Sequence, residues 1–119
     1  AAAVVTCLSE TQRLDVKSNA ALRGKQLYEG SLKLQEKYDI VGDVRGGVGL
    51  MTGIEIVSDR AHKTPMDMKT MKRIHQATYE AGTMVRLGMH NILMSPPLVI
   101  TEAEIDKVLG SLEAGLRAV

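Results

Sequence analysis

Seven residues, Val16, Ala20, Gly24, Leu27, Ser31, Leu34 and Tyr38, recur at steps of four and three. That spacing sets them on one face of a helix running from Leu14 to Tyr38. An amphipathic helix of this length needs another layer to cover its stripe. Gly24 and Ser31 are small, so the covering element can come close there. The next segment has a different period. Within Val41–Val57, residues Val48, Leu50, Ile54 and Ile56 alternate with Gly49, Met51, Gly53 and Glu55, which reads as strand. Its glycines mark a bend, a bulge or a close neighbour.

Three further elements follow. Thr64-Pro65-Met66-Asp67 carries a hydroxyl, a proline and then a carboxylate, the order expected of a helix start with Thr64 as its cap. That helix is predicted to run to Ala81 and stop at Gly82, with Met68, Met71, His75 and Thr78 sharing a face. Thr83–Arg86 and Asn91–Ser95 read as two short strands joined through Gly88-Met89-His90. Pro96-Pro97 closes the second, because neither ring nitrogen can donate to a ladder. Thr101 and Glu104 form a capping box for a last helix with an apolar stripe of Ile105, Val108, Leu109, Leu112 and Leu116. Residues 1 to about 12 read as the end of another helix. The order helix, strand pair, helix, hairpin, helix predicts an α+β fold: a small, mainly antiparallel sheet covered by helices. No repeat or linker interrupts it.

A chain of 119 residues, 45% apolar and 24% charged, is the size and composition of one folded domain. Its formal net charge is +1, with basic and acidic residues interleaved, and it has no Phe and no Trp. Neither a phosphate-backbone binder nor a base-stacking surface is expected from that. The lone Cys7 has no partner for an internal disulfide, which points to a reducing, cytoplasmic setting. No apolar run approaches the length of a membrane span, and no basic leader precedes an apolar core.

The candidate chemistry is sparse. Gly46-Gly47-Val48-Gly49 resembles a phosphate-cradling loop, but such a loop opens a helix, whereas this one runs into Ile54-Glu55-Ile56-Val57. Backbone packing is the better reading. His62, His75 and His90 lie apart with no thiol or carboxylate at ligand spacing, so no metal is expected, and His75 reads as a helix residue at the edge of the core. Cys7 reads as a small apolar filler; Met66, Met68, Met71, Met84, Met89 and Met94 could line an adaptable binding surface, but soft core packing is the commoner use of Met. Asp43, Arg45 and Glu55 read as structural ion pairs or hydrogen bonds. Arg86 follows Met84-Val85 and precedes a glycine turn, so its guanidinium should project at a strand end near the sheet edge. Taken from the residues alone, it is either an ordinary surface arginine or a fork for a carboxylate.

The stretch GTMVRLGMHNILMSPPLVITEAEID, Gly82–Asp106, resembles the C-terminal segment of class III aminotransferases. In that family a strand ending in arginine, a glycine turn, a second strand, Ser-Pro-Pro and a Thr-Glu cap occur in this order. VGDVRGGVGLMTGIEIVSD resembles a second family landmark, with one local departure: Val48 stands before the Gly49-Leu50 pair. The two landmarks and the long helix before them cover nearly the whole chain.

The resemblance implies the fold of the C-terminal domain of fold-type I pyridoxal-phosphate enzymes. Residues 1–12 would then end the helix leading from a large domain, and residues 13–119 would form the small domain. The family's Schiff-base lysine, which holds the cofactor and shuttles the proton, belongs to that large domain, as do the phosphate-binding turns. No catalytic, cofactor-binding or metal-binding residue is therefore assigned in this chain. By itself it is expected to be inactive and to bind no pyridoxal phosphate. The intact enzyme is expected to be a homodimer that moves an amino group between an amine or ω-amino acid and a 2-oxo acid such as pyruvate. Arg86 matches the family's arginine for the substrate carboxylate. A mutase, racemase or decarboxylase of the same family is an alternative, as is a free-standing α+β ligand-binding or assembly module.

Overall fold

A computed structural model describes all of residues 1–119, in the order α1 (Ala2–Arg13), α2 (Val16–Lys37), β1 (Val41–Arg45), β2 (Thr52–Asp59), β3 (Thr64–Pro65), α3 (Met68–Glu80), β4 (Arg86–Leu87), β5 (Asn91–Met94) and α4 (Glu102–Arg117). The sheet order is β1-β2-β5-β4, with β3 on β2, and all pairs are antiparallel. This is the expected α+β layer pair. No helix is long and apolar enough to cross a membrane.

The long helix has the predicted stripe. Val16, Gly24, Leu27, Ser31 and Leu34 are its buried residues, and the Ser31 hydroxyl donates to the Leu27 carbonyl at 2.8 Å. The close approach is made by the loop between β1 and β2: a Cβ on Gly24 would run into the carbonyl of Gly49. Helix α2 begins two residues later than the pattern suggests, because Asp15 adopts the left-handed conformation (φ 46°, ψ 46°) and breaks it from α1. Helix α1 has no buried residue. Cys7 is accordingly exposed and not the apolar filler expected of it.

Side chains from α2, α3, α4 and one face of the sheet fill the core, which includes Leu27, Ile54, Ile56, Met71, Ile92 and Ile105, none more than 1% exposed. Hydrophobic burial of this kind is the main stabilising term, at about 25 cal/mol per Å². The run of methionines divides: Met66, Met71 and Met94 are core as expected, whereas Met68, Met84 and Met89 are exposed, as is Met51 outside that run.

Two local readings need correction. Thr64 does not cap α3. Thr64 and Pro65 pair with Asp59 and Val57 on β2, and the Met66 amide donates to the Ile56 carbonyl at 3.2 Å. Asp67 takes the cap instead, its carboxylate accepting from the Thr70 amide at 3.0 Å. Val48 does not continue a strand either; it sits at the tip of the 46–51 loop, 95% exposed. The remaining helix signals match. Helix α3 ends at Glu80 with Gly82 at φ +104°, and the Thr101–Glu104 capping box is complete.

Candidate functional site

Pleating sends alternate residues of a strand to opposite faces. Along the covered face run Val44, Ile54 and Ile92; along the open face the register aligns Arg45, Gly53, Leu93 and Arg86 in one row across all four strands. Three strand steps separate its ends, about 14 Å at the usual inter-strand spacing of roughly 4.8 Å. The row thus begins and ends with a guanidinium.

These two guanidinium groups are in different states. Arg45 Nε lies 2.7 Å from Asp43 Oδ2, and the same bond holds the Asp43 carboxyl below its usual range. This is the structural pair expected of Asp43 and Arg45; Glu55, exposed on the same face, makes no side-chain bond. Arg86 has no such partner. The other arginines all do: Arg13 with Glu10, Arg23 with Gln26, Arg60 with the Gln35 and Tyr38 carbonyls at the end of α2, Arg73 with the Ala118 carbonyl and Arg117 with Tyr38 and Glu113. Among the seven arginines, Arg86 alone leaves its guanidinium without a hydrogen bond.

Arg86 is exposed at the sheet edge, as predicted, although it opens the two-residue β4 and does not end a longer strand. It lines an open cleft of about 1130 Å³ along β4. Met51, Met84 and Leu93 give that cleft apolar walls; His75, Lys107 and Ser95 add polar groups. A second groove, of about 830 Å³, crosses the open face and shares Met51 and Leu93 with the first. A guanidinium between apolar walls is a better anion receptor than one in bulk water, because its field is less screened. The Thr101–Glu104 cap occupies the cleft's acidic residue. Its carboxylate accepts from the Thr101 amide and hydroxyl at 2.8 and 2.9 Å, and the amide bond first, then the hydroxyl, holds Glu104 below its ordinary range.

His75 is where sequence reasoning fell short. Its Nε2 lies 3.0 Å from the Val85 carbonyl oxygen, a contact that helical periodicity does not announce. Leu93, by contrast, follows from simple alternation in Asn91–Met94. No group of three His, Cys, Asp or Glu side chains gathers as a metal site. All eight lysines are exposed.

The family model for aminotransferase class-III matches residues 1–116. Among curated relatives, a taurine–pyruvate aminotransferase from Bilophila wadsworthia is 32% identical over 99% of this chain and 27% of its own length. The alanine–glyoxylate aminotransferase 2 homolog 2, mitochondrial, of Arabidopsis thaliana is 36% identical over 89% of this chain and 22% of its own. The crystal structure of an amine transaminase from an uncultivated Pseudomonas species, in its PLP-bound internal aldimine form, superposes with a TM-score of 0.91. It is 36% identical, over 98% of this chain and 26% of that one. The chain spans about a quarter of the length of the curated relatives it matches.

Proposed function

The chain belongs to the class-III aminotransferase family, and on that premise we propose that it is the C-terminal domain of a pyridoxal-phosphate-dependent aminotransferase in which Arg86 binds the acceptor's carboxylate. The observation that carries this reading is the unpaired guanidinium. Every other arginine is held by a carboxylate, an amide, a phenol or a backbone carbonyl, while Arg86 faces a cleft with its donors unspent. A planar fork of this kind matches a carboxylate with two parallel hydrogen bonds.

The acceptor is a small 2-oxo acid. Pyruvate and glyoxylate, in the names of the two relatives, share an α-carboxylate beside a carbonyl, whereas the donors in those names differ. The donor is an amine or ω-amino acid. When it lacks a carboxylate at this position, Arg86 can turn out of the way, since β4 is two residues long and Gly88 follows it. The apolar walls of Met51, Met84 and Leu93 then receive the donor's carbon skeleton.

The cofactor is held elsewhere in the protein. The lysines of this chain, all solvated, do not fit a Schiff-base role, and no step of the transfer is assigned to them. Residues 1–12 are then the link to the large domain and residues 13–119 the small domain. The test is Arg86→Ala in the intact enzyme, with each half-reaction followed separately. The KM for pyruvate is expected to rise roughly 10- to 100-fold, the value of a lost charged hydrogen-bond pair, with the amine half-reaction within about threefold. Equal losses in both halves, or configuration inverted at one amino acid without an oxo-acid partner, overturn the reading.

A further inference from the structure

Arg86 springs from a strand of two residues, and the chain leading into it, Thr83–Val85, has no regular structure. Three attachments fix that lead-in. The Thr83 amide donates to the Thr78 carbonyl at 3.2 Å. The Val85 side chain is 6% exposed and belongs to the core. The third is His75, with Nε2 at 3.0 Å from the Val85 carbonyl oxygen in a part-buried position.

A carbonyl oxygen only accepts, so His75 Nε2 is the donor and carries the proton of this bond. Its target matters more than its strength. The Val85 carbonyl and the Arg86 nitrogen belong to one planar peptide unit, so whatever fixes the direction of that C=O also fixes the plane from which Arg86 departs. His75 is itself held by α3, whose Met71, Ile74 and Thr78 are buried. The imidazole thus connects a rigid helix to the one peptide that aims the free guanidinium.

We infer that His75 is a positioning residue for Arg86, setting the direction in which the guanidinium enters the cleft and with it the preference for acceptors that carry a carboxylate. The inference rests on the reading of Arg86 as the carboxylate anchor. In the intact enzyme, His75→Leu is expected to raise the KM for pyruvate roughly tenfold, the scale of a small misplacement of a binding group. The KM for propanal, an acceptor without a carboxylate, and the amine half-reaction stay within about twofold. His75→Gln, whose amide nitrogen can reach the same carbonyl, restores most of the pyruvate KM. In an Arg86→Ala background His75→Leu adds nothing, because a residue that acts only through another is silent once that other is gone.

A rise in KM for both acceptors alike, no rise for either, no rescue by glutamine, or an additive loss in the double variant each overturns the inference. Should His75→Leu fail to fold, His75→Asn, too short to reach Val85, takes its place in the same comparison. If Arg86→Ala raises the pyruvate KM and His75→Leu does not, the carboxylate reading stands and only the positioning role is lost. An Arg86→Ala variant with unchanged pyruvate KM removes both.

Discussion

On the covered face of the sheet Val44, Ile54, Ile92 and Met94 are at most 6% exposed, while on the open face Arg45 and Leu93, next to them in β1 and β5, and Arg86 on the edge strand β4 remain partly or fully exposed. Pleating makes this division possible, since one step along a strand exchanges one face for the other. Stability and recognition are then separable. Side chains under the helices set the free energy of folding, and those on the outside are free to be chosen for what they bind.

The comparison can be tested from either side. Ile54→Ala, which hollows the covered face at a residue with 0% exposure, should cost about 2–5 kcal/mol in chemical denaturation; a loss below about 1 kcal/mol would show that the helical layer does not depend on this face. Thr101→Ala removes half of the cap of α4 and should cost about 1 kcal/mol. The cap also has a pH signature. Glu104 is held below its ordinary value of 4.5 by the Thr101 amide and hydroxyl. Its contribution is therefore complete above that value and lost as pH falls through the lowered folded one. A pH series of denaturation midpoints should find wild type and Glu104→Gln converging on acidification, and parallel curves would remove the cap from the account. The smallest effect belongs to the open face. Arg45→Ala breaks an exposed ion pair, a kind of contact that adds little to stability, so its midpoint in the same denaturation should coincide with that of wild type.

Much of this division was legible in the residues. The stripes of α2 and α4, the Thr101–Glu104 box and the stop at Gly82 are local patterns: periodicity within one helix marks the stripes, and local hydrogen bonds satisfy the box and the stop. The failures have a common cause in partners that lie outside the period of a single helix or strand. Thr64 looks like a helix cap, but pairing with β2 and burial of Met66 hold the chain extended until Asp67. Val48 continues an alternation on paper; docking of Gly49 against Gly24 instead turns that segment into a loop. Arg86 could be placed near a sheet edge by sequence, but its freedom emerges only when the partners of six other arginines are known, two of which, Arg60 and Arg73, donate to carbonyls far along the chain. The bond from His75 to Val85 belongs to the same class, crossing from a helix to an irregular segment with no periodicity to mark it.

The left-handed residue at Asp15 has a consequence for cooperativity. It separates α1, with no buried residue, from α2, with five. Twelve residues is near or below the length at which an isolated helix holds together in water, and α1 draws almost nothing from the core to help it. Opening α1 therefore costs far less than opening the sheet layer. Loss of helicity in α1 therefore leaves the buried contacts of α2 and the sheet in place, and α1 can take its order from whatever lies against Val4, Val5 and Leu8, each about 60% exposed.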